Sequence, residues 1–88
     1  MSAFTGMDVS GVRQLAQQMN SSAQQIRQLM QQLTAQLNNT QWVGQDQQRF
    51  SNDWSSSHCQ QLTQVAASLE EASQRANQNA QEQESTSQ

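Results

Sequence analysis

Apolar residues recur at heptad spacing through the first half of an otherwise polar chain. They alternate between the a and d positions of a seven-residue repeat, and two of the d positions hold Ser22 and Gln36. The neighbouring e positions are apolar too, and a stripe wider than about 100° favours a helix with more than one neighbour. The a and d residues are Val12, Leu15, Met19, Ile26, Leu29 and Leu33, and the e residues are Ala16, Ala23, Met30 and Leu37.

A second apolar series occupies the other half of the chain. Its bulky aromatic residues come first and its alanines last, so it tapers along its length. The series is thin between Trp54 and Leu62, where Ser57, His58 and Cys59 intervene. Its members are Phe50, Trp54, Leu62, Val65, Leu69, Ala72 and Ala76.

These patterns predict one all-α domain over residues 1–88, with a helix at about 9–38, a turn at about 39–44 and a helix at about 45–79. Asp8 is a candidate N-cap, and Asn38-Asn39 is a stop signal because Asn tolerates the left-handed conformation. Residues 1–7 are predicted to be a loose arm and 81–88 a disordered tail. Two long helices joined by a short turn must lie antiparallel, as a hairpin.

Composition supports helices over disorder. Only 33 % of residues are hydrophobic, but only 12 % are charged, and the polarity comes largely from uncharged glutamine, which is about a quarter of the chain. Disordered chains usually carry high net charge, whereas glutamine is a good helix former. Proline is absent, so nothing forces a kink or a stop within either helix.

Charge and hydropathy argue against several classes of partner. The net charge is −3, and the four arginines are scattered, so nucleic acid is not an expected partner. No apolar run approaches the roughly 20 residues that span a bilayer. The N-terminus has neither a basic start nor an apolar core, so no cleaved signal peptide is predicted.

The sequence offers no catalytic, cofactor-binding or metal-binding constellation. His58 and Cys59 are adjacent, so on a helix they point about 100° apart and do not form a nucleophile–base pair. One histidine and one cysteine are too few ligands for a zinc site. Cys59 is interpreted as a packing residue, with a reactive thiol or an intermolecular disulfide as the alternative. We therefore expect a protein that is not an enzyme.

The turn carries the motif Trp42-Val43-Gly44 almost at mid-chain. An indole can bury a large apolar body at the corner, and Gly44 permits a positive φ or a close backbone approach. With Phe50 and Trp54 following between two proline-free heptad helices, the chain resembles, from about Met7 to Ala80, the WXG family of about-100-residue proteins of the early-secreted-antigen type, which are substrates of bacterial type VII secretion.

That resemblance implies a specific biology. Family members are helical hairpins that pair into antiparallel four-helix bundles, as homodimers or with a related WXG protein. They are made in the cytoplasm and secreted without a cleaved signal peptide, and an FtsK/SpoIIIE-type ATPase recognises them. The family export signal joins a tyrosine to an acidic residue four positions later, but this chain has no tyrosine. We therefore expect it to travel with a partner that supplies the signal.

The apolar stripes themselves favour pairing, because a two-helix hairpin this polar does not cover a full stripe on both helices. The expected dimer or core seam comprises Val12, Leu15, Met19, Ile26, Leu29, Met30, Leu33, Leu37, Phe50, Trp54, Leu62, Val65 and Leu69. Two alternatives stay open, a membrane-active amphipathic hairpin and a cytoplasmic coiled-coil adaptor. Membrane binding is disfavoured because interfacial helices normally carry Lys or Arg on the polar face.

Overall fold

The computed structural model describes residues 6–86 as an extended helical hairpin, 65 × 19 × 17 Å in its principal extents. Helix α1 spans Val9–Asn39, and α2 begins after the turn and spans Gln45–Asp53. A π-helical turn, Trp54–His58, joins α2 to α3, which spans Cys59–Thr86. Together α2, the π turn and α3 form the second arm, which runs back along α1. Within residues 6–86 there is no β-strand.

Local chemistry explains where α1 begins and ends. The Asp8 carboxylate accepts from the Gly11 N–H at 3.1 Å, as an N-cap does. The predicted left-handed asparagine stop is wrong, because no non-glycine residue within 6–86 has a positive φ. The helix ends instead at Thr40, whose backbone turns extended (φ −89°, ψ 133°). Its hydroxyl donates to the carbonyl of Gln36 at 2.6 Å, which satisfies one carbonyl of the last turn.

The π turn absorbs one extra residue in the heptad pattern. Trp54 and Leu62 are eight positions apart, one more than a heptad. A π turn accommodates an extra residue without breaking the helix, and here the Cys59 N–H donates to the Trp54 carbonyl, five residues back. Since each residue adds about 100° of rotation, the insertion turns Trp54 toward α1. The thin stretch of the apolar series is therefore the place where its register shifts.

The second arm continues further than predicted. Residues 81–86, expected to be disordered, form the last turns of α3. Glutamine and glutamate favour helix, and Arg13 on α1 binds this end of α3 by donating to Glu84 at 2.8 Å and to Gln81 at 3.3 Å. Residues 1–5 and 87–88 lie outside the described residues, so most of the predicted loose arm and the end of the predicted tail are not addressed.

The two arms meet along a seam of small residues. Ala16 and Ala23 on α1 and Ala66 and Ala80 on α3 have no exposed surface, and within residues 6–86 they are the only fully buried apolar residues. Ser73, 6 % exposed, donates its hydroxyl to the Ala16 carbonyl at 2.7 Å. Small side chains let the helix backbones approach closely. We call Ala16, Ala23, Ala66, Ser73 and Ala80 the small-residue seam.

Candidate protein-binding face and turn cleft

One side of the small-residue seam is polar. Positions three before or four after a seam residue share this side of a helix. There Arg27 donates to Glu70 at 2.7 Å and Arg13 to Glu84 at 2.8 Å, and both ion pairs are part-buried. Nearer the turn, on the same side of α1, the Thr34 hydroxyl accepts from the Trp54 indole N–H at 2.8 Å. These cross-arm contacts fix the register of the hairpin along its length.

The other side of the seam is apolar. Positions three after or four before a seam residue lie here, and the residue immediately before each seam position lies further round on the same side. All of the residues that form this surface are uncharged. We call this surface the apolar face; it comprises Val12, Leu15, Met19, Ile26, Leu29 and Leu33 on α1, and Leu62, Val65, Leu69, Ala72 and Ala76 on α3.

The hairpin leaves much of the apolar face in contact with solvent. Leu15 is 52 % exposed, Leu29 is 54 % exposed and Val65 is 49 % exposed. Half-exposed apolar side chains that line up on one side of a hairpin are unlike the scattered surface hydrophobics of ordinary domains. The apolar face is therefore only partly covered within the single hairpin.

The structure thus divides the predicted seam residues into two exposure groups, and none is fully buried. Half-buried are Val12, Met19, Ile26, Met30, Leu37, Trp54, Leu62 and Leu69, and exposed are Leu15, Leu29, Leu33, Phe50 and Val65. Met30 and Leu37 continue the line of Ala16 and Ala23 toward the turn, whereas most of the others lie on the apolar face. Of the two polar d positions, Ser22 is half-buried and Gln36 is exposed.

A cleft opens at the turn end of the apolar face. Its volume is about 250 Å³, and its walls are almost entirely apolar. Trp42 packs on Phe50 with ring centroids 5.7 Å apart and ring planes tilted by 47°. Both rings stay exposed, Trp42 by 42 % and Phe50 by 46 %. We call this the turn cleft; it is lined by Leu33, Leu37, Thr40, Trp42, Phe50 and Trp54.

Gly44 shapes the turn by its backbone conformation. Its φ of 130° with ψ of −175° lies in a region that is essentially restricted to glycine. A Cβ built on Gly44 would meet no atom within 4 Å, so space is not the constraint. Of the two roles considered for this glycine, the structure shows the positive φ and not the close approach.

Gly44→Ala should therefore destabilise the hairpin through backbone strain alone. We expect the free energy of unfolding to fall by about 1–3 kcal/mol, measured by thermal denaturation followed by circular dichroism. Val43→Ala is the matched control, because Val43 is 95 % exposed and its truncation removes little contact. Equal stability of Gly44→Ala and wild type would show that the turn relaxes freely, contrary to this account.

The remaining chemistry-bearing residues are dispersed. His58 lies 6.3 Å from Trp54 between ring centroids. Cys59 is a free, half-buried thiol at the next heptad position before Ala66. Among residues 6–86, no three His, Cys, Asp or Glu side chains group closely enough to hold a metal ion. None of the helices in that range is long and apolar enough to cross a membrane.

Sequence reasoning missed the centre of the hairpin contact. Ala66 and Ser73 carry no strong hydropathy signal, and heptad spacing places Ala16 and Ala23 at the flank of a leucine seam. The missed signal is the seven-residue spacing of small residues at 59, 66, 73 and 80 on one arm and at 16 and 23 on the other. Such spacing indicates where two helix backbones approach closely.

The comparisons with known proteins add no assignment. No protein family model, curated protein or solved structure matches this chain.

Proposed function

We propose that this chain is a non-enzymatic protein-binding hairpin of the WXG type, which pairs with a second hairpin into a four-helix bundle. The second hairpin is another copy or a related WXG protein. The observation that carries the proposal is the apolar face, which runs along the hairpin and stays half exposed. Burying this face would stabilise the complex by about 25 cal/mol for each Å² of apolar surface removed from water. A second hairpin of the same length offers a matching stripe.

The taper of the apolar face favours antiparallel pairing. Leu33 and the rings of Trp42 and Phe50 make the turn end bulky, whereas at the open end α3 contributes only Ala72 and Ala76, beside Val12 and Leu15 on α1. Antiparallel pairing sets each bulky end against a slim end, which keeps the spacing between hairpins even and the interface filled. Parallel pairing would bring the aromatic ends together and leave a gap between the alanine ends.

The biological setting that fits this hairpin is type VII secretion. This setting is supported by the Trp42-Val43-Gly44 motif in the turn between the two arms, where Gly44 has a conformation that is restricted to glycine. In this proposal the paired hairpins are exported by, or accompany a substrate of, an FtsK/SpoIIIE-type ATPase. Because the chain has no tyrosine, the accompanying substrate supplies the tyrosine-based signal. The protein is then found outside the cell without a cleaved signal peptide.

An export assay in the encoding organism tests this setting. We expect the chain in cell-free culture medium when the secretion ATPase is intact, and only in cells when that ATPase is deleted. A cytoplasmic enzyme measured in the same medium controls for lysis. Export that is unaffected by loss of the ATPase would contradict the type VII assignment. Affinity capture from the intact strain then identifies the accompanying substrate by mass spectrometry.

A further inference from the structure

Two of the four arginines make ion pairs within the hairpin, and the other two do not. Arg13 and Arg27, on the polar side of the small-residue seam, pair with carboxylates of α3. Arg49 and Arg75 are exposed and make no ion pair within residues 6–86. Even Glu71, four positions before Arg75 on the same helix, does not pair with it. The charge of Arg75 is therefore available to a group outside the hairpin.

Arg75 lies at the edge of the apolar face that is remote from α1. Positions two after or five before a seam residue of α3 share this edge. The line continues through the π turn into α2, because eight positions across that turn correspond to one heptad, as they do for Trp54 and Leu62. We call this line the outer border; its members, all exposed, are Asp46, Asp53, Gln61, Ser68, Arg75 and Glu82.

Two opposite charges of the outer border lie symmetrically about the middle of the second arm. Asp53 is one step of the border before Gln61, and Arg75 is one step after Ser68. Each step of a heptad covers about 10 Å along the helix. The point between Gln61 and Ser68 is close to the centre of the arm, which runs from residue 45 to residue 86. An antiparallel copy centred there brings Arg75 of each chain level with Asp53 of the other.

The same centre suits α1. The Ser73 hydroxyl donates to the Ala16 carbonyl, so the middle of the outer border is level with about residue 25, near the middle of Val9–Asn39. A two-fold axis at this level sets α1 against α1 of the second copy, and the second arm against its counterpart. The matching edge of the apolar face on α1 is exposed and uncharged, and consists of Gln18, Gln25 and Gln32. Glutamine both donates and accepts, so these edges suit each other across the axis.

The ends of the outer border carry its remaining charges. Glu82 comes level with Asp46 of the second copy, which sets two carboxylates near each other. Arg49, three positions after Asp46 and four before Asp53, lies beside this layer and supplies a positive charge. All of these groups are exposed, so solvent and salt screen the repulsion that remains. The choice of partner therefore depends chiefly on Arg75 and Asp53.

Parallel pairing of two copies would leave these charges unused. The second arm would then face α1 of the other copy, where the edge consists of glutamines. Arg75 and Asp53 would meet no opposite charge. In coiled coils, flanking charges of this kind determine the partner and its orientation.

We propose that the second hairpin is another copy of this chain, aligned antiparallel by reciprocal ion pairs between Arg75 of each copy and Asp53 of the other. The inference rests on the pairing proposed above, and it adds the identity and the alignment of the partner. The apolar face supplies most of the affinity, whereas exposed ion pairs contribute little affinity and act on partner choice and register.

Charge reversal in the full-length protein tests the inference. Arg75→Asp sets two acids against each other at both contacts, and Asp53→Arg sets two arginines against each other. Each variant should raise the dimer dissociation constant on the order of tenfold at low salt, measured by sedimentation velocity, and the increase should shrink at high salt. Gln28→Glu with Gln31→Glu, and the same pair changed to lysine, are the controls. They reproduce the changes in net charge at exposed positions away from the apolar face and should behave as wild type.

Recombining the charges shows whether the contact joins two copies. A mixture of Arg75→Asp and Asp53→Arg chains should form a heterodimer with wild-type affinity, because both contacts again join opposite charges. Native mass spectrometry distinguishes this heterodimer from the two homodimers by mass. One chain that carries both substitutions should recover the homodimer for the same reason. Folded variants that recover in neither experiment would overturn the inference.

The results separate this inference from the proposed pairing. A wild-type dimer whose affinity is unchanged by either reversal removes the ion-paired alignment and leaves the pairing standing. A wild-type chain that folds stably only with a different hairpin removes the second copy and also leaves the pairing standing. A monomer that folds cooperatively by itself removes both.

Discussion

Replacing Leu29 and Leu33 with glutamate is expected to separate the paired hairpins into folded monomers. The two leucines are 54 % and 48 % exposed in the single hairpin, so their remaining surface is available for burial by a partner. In a symmetric dimer each substitution acts twice. The four leucines of a dimer, each with about half of its side chain left to bury, contribute on the order of 3–6 kcal/mol, and burying unpaired carboxylates would add a further penalty.

This double variant should therefore raise the dimer dissociation constant by about 10²-fold to 10⁴-fold. Size-exclusion chromatography with light scattering measures the change in mass. Gln28→Glu with Gln31→Glu is the matched control, because both positions are exposed and lie away from the apolar face. The control should remain dimeric with the same added charge. An undiminished dimer in the Leu29/Leu33 variant would place the interface elsewhere.

Deleting Ser57 is expected to damage the turn end of the hairpin. The π turn Trp54–His58 holds one residue more than an α-helical turn needs. Without that residue, α2 would continue as regular α-helix, and Trp54 would rotate by about 100° relative to α3. The indole would then lose its hydrogen bond to Thr34 and its place in the turn cleft.

We expect the deletion to lower the free energy of unfolding by about 2–4 kcal/mol, from lost indole burial and one lost hydrogen bond. Denaturation at matched protein concentration and acrylamide quenching of tryptophan measure the effect. Ser57→Ala is the control at the same position, since it changes only an exposed side chain and leaves the number of residues in the π turn unchanged. Wild-type stability and quenching in the deletion variant would show that the π turn does not set the register.

The helices followed from the sequence because the apolar period is long and unbroken by proline. The eight-residue interval between Trp54 and Leu62 marks the position of the π turn, but hydropathy alone shows it only as a thin stretch of the apolar series. The end of α3 was mispredicted because composition alone does not reveal that Arg13 contacts Glu84 on the opposite arm. Such cross-arm contacts exist only once the hairpin has formed.

Heptad spacing could not show which part of the wide stripe meets which neighbour. A period identifies the apolar side of a helix, but Ala16 and Leu15 both lie on that side. In the structure the alanines, and not the leucines, lie between the two arms. Their small side chains allow the arms to approach closely, and the larger Leu15 is left half exposed. The same arrangement produced the apolar face and the turn cleft, which no single motif in the sequence indicated.

Sedimentation equilibrium of the full-length chain over low to high micromolar concentrations tests the central claim most directly. The claim is that the apolar face requires a second hairpin, and it predicts a mass about twice the 9.9 kDa of the chain. It also predicts a melting temperature that rises with protein concentration. A 9.9 kDa species that unfolds cooperatively, at a temperature independent of concentration, would contradict it.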